Sequence, residues 1–234
     1  MKIAVRGGHC PRVPGASKFI DEVTEDRKVK ESVIKYLKQL GHEVFDVTPP
    51  DTINSSNADL SFGIIKANTY NADLFVSIHF NKAYDVYNGF LGSEVCVYSP
   101  FDTAQRVVNG LASLGFKNRG QKVRTGLYEL KHTNMKAMII EVCFVESIAD
   151  VGLYKKLGHD TIGKTIAECI ANKKVIETTH KSSFPSVPRE YREGDYLDLN
   201  PDVAQAVAKG QFNSGAEHYL KYGYKENRKI FKEK

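Results

Sequence analysis

The sequence predicts an α/β domain with a mostly parallel sheet, followed by a small all-α module. Short apolar runs of strand length alternate with longer stretches whose apolar residues recur at helical spacing, which is typical of strand–helix–strand units. Beyond residue 174 the strand-like runs stop, and Ser, Thr and Pro become frequent. From this change we expect an α/β domain over residues 1–174, a linker over residues 175–189 and a helical C-terminal module over residues 190–234.

The first strand and the first helix flank a loop that is rich in glycine and proline. Residues 2–6 have an apolar centre and predict a buried strand. Between residues 25 and 40, apolar residues recur at helical spacing (Val29, Val33, Ile34, Leu37 and Leu40). Thr24 is suited to cap the start of this helix, and Gly41 is suited to end it.

The rest of the domain continues the alternation. Residues 42–47 predict a second strand, residues 57–70 an amphipathic helix and residues 74–78 a third strand. The second half predicts, in order, a strand at 92–98, a helix at 103–114, a short strand at 127–130, a strand at 138–144 and a helix at 160–172. In such sheets ligands bind outside the carboxyl ends of the strands, so residues at that edge are the first candidates for a functional site.

Three residues whose side chains commonly bind metal ions lie inside or directly after these apolar runs. His9 follows the first strand and His79 ends the third, so both are expected at the carboxyl edge of the sheet. Glu141 lies inside the run 138–144, where a buried, unpaired carboxylate would cost several kcal/mol. Because buried polar groups need partners, the three residues predict one shared site.

The chemistry of these residues predicts a zinc hydrolase. A hydrolytic zinc site usually takes three protein ligands from His and Glu or Asp, and leaves a fourth position for a water whose pKa falls to about 7. His9 and His79 supply the imidazoles. We select Glu25, in the first turn of the predicted helix, as the carboxylate ligand, with Glu22 and Asp21 as its competitors.

Glu141 is then expected to act as the general base, which takes a proton from the zinc-bound water and passes it to the leaving amine. Each candidate taken alone also has an ordinary interpretation. A carboxylate at a helix start, such as Glu25, is usually a surface residue. A lone histidine after a strand is usually structural, and four other histidines receive that interpretation (His42, His159, His180 and His218). His132 fits either ordinary surface or a loop that binds substrate.

Composition excludes several other classes of protein. The 234 residues are 41% apolar and 26% charged, with a net charge of +5 and a pI near 8.8. The chain has no dense Lys/Arg block with interleaved aromatic residues, so we expect no nucleic-acid partner. No apolar run approaches the roughly 18 residues of a membrane span, and the start lacks a signal-peptide pattern. We therefore expect no membrane insertion, and a protein that is cytoplasmic until released.

Seven short motifs, in order, resemble the zinc-dependent N-acetylmuramoyl-L-alanine amidases, and in particular the catalytic domains of phage endolysins and autolysins of clostridia and listeriae. They are Gly7-Gly8-His9, Gly15-Ala16, Glu25 with Val29, residues 72–81, Asn118-Arg119-Gly120, residues 127–130 and residues 138–144. The similarity covers about residues 1–173. It implies a twisted six-stranded sheet flanked by helices, bacterial peptidoglycan as the partner, and cleavage of the amide between the lactyl group of N-acetylmuramic acid and L-alanine.

Transferred position by position, the resemblance implies that His9, Glu25 and His79 bind Zn²⁺ and that Glu141 is the catalytic glutamate. Cys10 stands where many relatives have a small residue, which raises a soft extra ligand as an alternative. The four cysteines are far apart (Cys10, Cys96, Cys143 and Cys169) and are expected to be free thiols.

The C-terminal module resembles a short motif found in many bacterial proteins, here residues 196–204 through 218–223. Asn200-Pro201 is typical of a helix start, and Ser214 could cap a second helix that ends at Gly223. Aromatic residues recur along it (Tyr191, Tyr196, Phe212, Tyr219, Tyr222 and Tyr224). They fit a surface for sugar stacking or, slightly better, the module's own core. A wall-binding element and a homodimer interface are both open interpretations of this module.

Two other functions fit parts of the sequence. A cysteine-dependent wall amidase or peptidase would use Cys10 or Cys143 as its nucleophile, with a histidine as base. A non-catalytic wall-binding protein would need no open metal site, and the joint presence of His9, His79 and Glu141 argues against it.

Overall fold

The computed structural model describes residues 1–176, 187–188 and 190–232. The chain divides into two compact units, Met1–Val175 and Ile176–Lys234. Most of the linker expected over residues 175–189 lies outside the described residues. Among the helices that the structure describes, none combines the length and the apolar character needed to cross a membrane.

A six-stranded sheet forms the centre of the first unit. Its strands are β1 (Lys2–Gly7), β2 (Glu43–Asp46), β3 (Leu74–Asn81), β4 (Ser93–Val97), β5 (Asn118–Val123) and β6 (Lys136–Phe144), in the spatial order β2-β1-β3-β6-β4-β5. Neighbouring strands are parallel except for β4 and β6, which are antiparallel. The prediction of an α/β fold with a mostly parallel sheet is therefore confirmed.

Helices cover both faces of this sheet. They are α1 (Glu22–Gln39), α2 (Ser56–Thr69), α3 (Asp102–Ser113), α4 (Tyr128–His132) and α5 (Ile148–Ala171). Consecutive strand residues point to opposite faces. Val76 and Ile140 accordingly pack into the larger core, which includes buried residues of α1, α3 and α5. Phe75 and Ile139 pack with α2 and α4 on the opposite side, the α2–α4 face.

Two elements of the sheet region differ from the prediction. Residues 127–130 were expected to form a short strand. Instead, Leu127 is the N-cap of helix α4 (Tyr128–His132), and the other three residues belong to that helix. Leu127 and Leu130 are spaced three residues apart, which suits one side of a helical turn, and Leu130 is buried on the α2–α4 face. Strand β5 was not predicted, because its sequence is polar and lacks an apolar run.

Two helices begin earlier than predicted. The cap of α1 is Asp21 rather than Thr24, because the Asp21 side chain accepts a hydrogen bond from the Thr24 backbone N–H. Helix α5 begins after Ser147, whose side chain accepts from the Asp150 N–H, and it contains a kink at Gly158 with φ of 76°. The predicted start at residue 160 corresponds to the segment that follows this kink.

The second unit contains α6 (Glu193–Leu199), α7 (Pro201–Ala208) and α8 (Gly215–His218), and α8 continues into one π-helical turn, Tyr219–Gly223. Ser214 caps α8, as expected. Tyr196 and Tyr219 are buried with Val203 in a small core, so these two rings support the core interpretation. Tyr222 is half exposed.

Candidate metal centre and active site

Three side chains meet at the carboxyl edge of the central strands. His9, Glu22 and His79 each present a ligand atom, and these atoms lie within 4.8 Å of one another. Glu22 Oε1 is 3.1 Å from His79 Nδ1 and 3.5 Å from His9 Nε2. Two imidazole nitrogens and one carboxylate oxygen form the donor set that suits a zinc ion with an open coordination position. The residues present therefore fit the expected metal.

The backbone around the cluster explains how three distant segments approach so closely. Strands β1 and β3 are parallel neighbours, and the Gly8 N–H donates to Ile78 O at 2.9 Å. A Cβ atom at Gly8 would lie 2.2 Å from the His79 ring. A Cβ at Gly15 would lie 2.0 Å from the Glu22 carboxylate. Both glycines are therefore required by the close approach of the ligand side chains.

The structure corrects the choice of Glu25 as the carboxylate ligand. Glu22 is the first residue of α1 and reaches the two imidazoles, whereas Glu25 points toward α5. The Tyr154 hydroxyl donates to Glu25 Oε2 at 2.6 Å, and Lys28 Nζ lies 2.9 Å from Glu25 Oε1. The physical reason is the earlier start of the helix, which places its first residue, rather than its fourth, at the edge of the sheet.

Hydrogen bonds fix the Glu22 carboxylate and set its charge. Oε1 also accepts from the Phe80 N–H at 3.0 Å, and Oε2 accepts from the Ala16 N–H. Burial alone would raise the pKa of Glu22, but hydrogen bonds from His79 and His9 hold it well below its usual range. Glu22 is therefore a fixed carboxylate anion between two imidazoles.

Burial likewise disfavours a charge on His79. Hydrogen bonds from the imidazole to Glu129 and Glu22, together with the charge of Glu141, nevertheless raise the pKa of His79 well above its usual value. The carboxylates around His79 therefore favour the protonated form of the imidazole.

Glu141 lies beside the cluster, as the sequence predicted. It is the register partner of His79 across β3 and β6, and of Glu94 across β4 and β6. Its Oε2 atom is shielded from solvent and has no hydrogen-bond partner among the residues that the structure describes. Burial raises the pKa of Glu141 to about 7; His79 opposes this rise, and the nearby Glu22 and Glu94 add to it. A carboxyl group tuned to this range can both take and release a proton near neutral pH.

The cysteines do not form a nucleophilic site. Cys10 Sγ donates to Ile53 O at 3.3 Å, and Cys10 is absent from the group of ligand atoms around His79. Burial raises the pKa of Cys143 well above its usual value, so its thiolate is disfavoured. Neither residue therefore supports the cysteine-dependent alternative.

The other histidines that the structure describes lie outside the cluster. His132 is exposed and packs against the Tyr128 ring. His159 contacts Ser32, and His218 contacts Tyr196 within the second unit. His180 lies outside the described residues.

Sequence reasoning missed two residues that contact His79 from within the fold, Ser77 and Glu129. Asp26 was missed as well. It accepts a hydrogen bond from the His9 N–H, while its second oxygen is buried without a partner. The available signal was the presence of charged residues inside or beside apolar runs, but spacing alone does not show which of them meet.

A mixed α/β sheet that carries a His–Glu–His cluster and a neighbouring glutamate is the architecture of a candidate metallohydrolase. Residues 3–172 match the family model described as N-acetylmuramoyl-L-alanine amidase, and the chain belongs to this family. The resemblance seen in the sequence is thus confirmed at the level of the family.

The chain is also similar to proteins of known sequence or structure. An uncharacterized protein of Clostridium perfringens is 48% identical over 182 residues, which are 76% of this chain and 53% of that protein. The chain spans about half the length of the curated relatives it matches. The catalytic domain of the CD27L endolysin targeting Clostridia Difficile is 30% identical, with a TM-score of 0.68, over 74% of this chain and 98% of that domain. The amidase AmiC2 of Nostoc punctiforme shares the fold, at 23% identity and a TM-score of 0.63, over 74% of this chain and 96% of that protein.

Proposed function

We propose that this chain is a zinc-dependent peptidoglycan amidase that cleaves the bond between N-acetylmuramic acid and the L-alanine of the stem peptide. The observation that carries the proposal is the convergence of His9, Glu22 and His79 next to Glu141. Membership of the amidase family supports the reaction class. The 30% identity to the catalytic domain of an endolysin that targets Clostridia Difficile supports a cell-wall substrate.

In this proposal, His9, Glu22 and His79 hold the ion through two nitrogen atoms and one oxygen atom. When bound, zinc supplies Lewis-acid chemistry, which lowers the pKa of water to about 7 and stabilises a developing oxyanion. The Glu22 charge leaves a formal charge of about +1 on the centre, and this residual charge favours an anionic transition state.

Glu141 acts first as the general base and then as the general acid. Its carboxylate accepts a proton from the water whose oxygen adds to the lactyl carbonyl carbon, and it then donates that proton to the nitrogen of L-alanine as the C–N bond breaks. The products are a lactyl carboxylate on the sugar and a free amino terminus on the peptide. Among the described residues, none forms a hydrogen bond with Glu141 Oε2, so no protein group competes for a proton at that oxygen.

The decisive experiment is mass spectrometry of peptidoglycan digested with the purified, zinc-loaded chain. The proposal predicts new L-alanine amino termini without new reducing sugar ends. Chelation of zinc should abolish this product and added zinc should restore it, whereas iodoacetamide should have no effect. Sedimentation with cell walls but no product would instead identify a non-catalytic wall-binding protein.

A homodimer through the C-terminal unit, one of the two open interpretations of that module, stays a prediction. Sedimentation equilibrium of the full chain, compared with a chain that ends at residue 176, would test it. A monomeric full chain would contradict it.

A further inference from the structure

A buried charged network lies behind the metal centre, on the side of His79 that faces the protein interior. Arg6, Asp59 and Glu129 have side chains that are 0%, 2% and 2% exposed. Burying three charges is costly unless each has a well-placed partner, so the network calls for an explanation.

The strand pattern explains why these residues meet. Arg6 is the register partner of Ser77 across β1 and β3, and His79 follows two residues later on the same side of β3. This side is the α2–α4 face, because Phe75 on the same alternation packs there. Asp59 of α2 and Glu129 of α4 approach from the helices that cover it.

The two ring nitrogens of His79 have different surroundings. Nδ1 faces Glu22 Oε1 at 3.1 Å, within the metal-ligand cluster. Nε2 faces Ser77 Oγ at 3.0 Å and Glu129 Oε2 at 3.7 Å, on the side of the charged network. The Ser77 hydroxyl in turn donates to Glu129 Oε1 at 3.4 Å. Glu129 therefore acts on Nε2 both directly and through Ser77.

Arg6 fixes the position of Glu129. Its NH1 group lies 2.9 Å from Glu129 Oε1, and its NH2 group lies 2.7 Å from Asp59 Oδ2. NH2 also donates to Gly8 O at 2.6 Å, next to the ligand His9. One guanidinium between two carboxylates leaves a net negative charge near Nε2. That charge favours a proton on Nε2.

We propose that Glu129 is a positioning residue for the metal centre: with Ser77 it holds a proton on His79 Nε2 and thereby directs the Nδ1 lone pair toward the ion. Outer groups of this kind fix the tautomer and the ring orientation of a ligand histidine. The inference rests on the proposed function only in taking His79 as a metal ligand. It assigns to Glu129 a role in zinc affinity that can be measured without substrate.

The test uses the zinc dissociation constant of the purified full chain, measured by competition with a chromophoric chelator. Glu129→Gln is nearly isosteric and removes the charge next to Nε2. Loss of such an outer partner typically weakens metal binding about 10–100-fold, and we expect a change in this range. An unchanged dissociation constant would overturn the proposal.

Asp59→Asn is the matched control. It removes a carboxylate charge from the same guanidinium, at similar burial, but the described contacts of Asp59 do not include His79. Both variants should lose stability, whereas only Glu129→Gln should weaken zinc binding. Equal weakening by Asp59→Asn would show that Arg6 transmits a general distortion, and the positioning role would be rejected.

A second variant keeps the test decisive if Glu129→Gln does not fold. Ser77→Ala removes the hydroxyl between Glu129 and Nε2 without burying an unpaired charge, and it should also weaken zinc binding.

¹⁵N spectra of the zinc-loaded wild type provide an independent test. They should show the proton of His79 on Nε2, and a proton on Nδ1 would overturn the assignment. Altered zinc affinity without amidase products would reject the proposed function alone, and amidase products with unaltered affinity would reject this inference alone.

Discussion

His79 and Glu141 are direct register partners on the neighbouring parallel strands β3 and β6. Residues paired in this way project from the same face of a sheet, so the imidazole and the carboxyl group share the carboxyl edge above the α2–α4 face. The pairing places the proposed proton-transfer group next to a proposed metal ligand. Two strands thus fix the relative position of the proposed metal centre and the proposed general base.

Glu141→Gln should abolish turnover and spare metal binding. The substitution keeps the size of the side chain but removes its ability to take a proton, and general-base catalysis typically contributes about 10²–10⁴-fold to the rate. We expect kcat for the release of L-alanine termini to fall by that factor, with the zinc content unchanged by elemental analysis. A variant that digests walls at nearly the wild-type rate would remove Glu141 from the catalytic role.

Glu22→Gln and Glu25→Gln form a matched pair on one helix. Glu22→Gln removes the carboxylate that contacts both imidazoles and should lose stoichiometric zinc together with activity. Glu25→Gln weakens only the contacts with Tyr154 and Lys28, so its zinc content should remain that of the wild type. Zinc loss from the Glu25 variant alone would restore the assignment made from the sequence.

The choice between these two glutamates shows where sequence reasoning reaches its limit. The α/β alternation and the edge positions of His9 and His79 follow from apolar runs, because a strand that ends in a polar residue is visible in the sequence. Thr24 and Asp21 are both good helix caps, however, and selecting Thr24 moved the helix start by three residues. That shift was enough to select Glu25 for the site.

The charged network behind His79 could not be predicted from the sequence, for a different reason. Arg6, Asp59 and Glu129 are distant in sequence, and each alone resembles an ordinary surface charge. They meet because β1, α2 and α4 pack on one face of the sheet, and that packing depends on strand order. The polar strand β5 escaped prediction because a strand without an apolar alternation gives no periodic signal.

Gly8→Ala should weaken zinc binding without replacing any of the proposed ligands. The added Cβ would lie 2.2 Å from the His79 ring, so the imidazole must move away from Glu22. We expect the zinc affinity to fall markedly and the fold, followed by circular dichroism, to persist. Gly126→Ala is the control, because no atom of the described part of the chain lies within 4 Å of its added Cβ. Wild-type affinity in the Gly8 variant would show that the ring is free to shift.

Zinc affinity should increase with pH. Burial opposes protonation of His79, but its hydrogen bonds to the Glu129 and Glu22 carboxylates raise its pKa well above the usual value. A proton therefore competes with the ion for Nδ1 throughout the neutral range, and competition decreases as pH rises toward the raised pKa. Chelator competition between about pH 6 and pH 9 should show tighter binding at higher pH, accompanied by proton release. A dissociation constant independent of pH would contradict the raised pKa.

Arg6→Met should be among the most destabilising single substitutions in the first unit. The variant leaves Asp59 and Glu129 as buried carboxylates without their common partner, and breaking a buried pair in this way costs about 3–5 kcal/mol. Urea unfolding of the metal-free full chain, followed by far-ultraviolet circular dichroism, would measure the loss. Lys28→Met is the control: its pair with Glu25 is partly exposed, so the change should stay below about 1 kcal/mol. If both variants unfold at the same urea concentration as the wild type, the buried network does not stabilise the fold, and Glu129 has no fixed partner from which to orient His79.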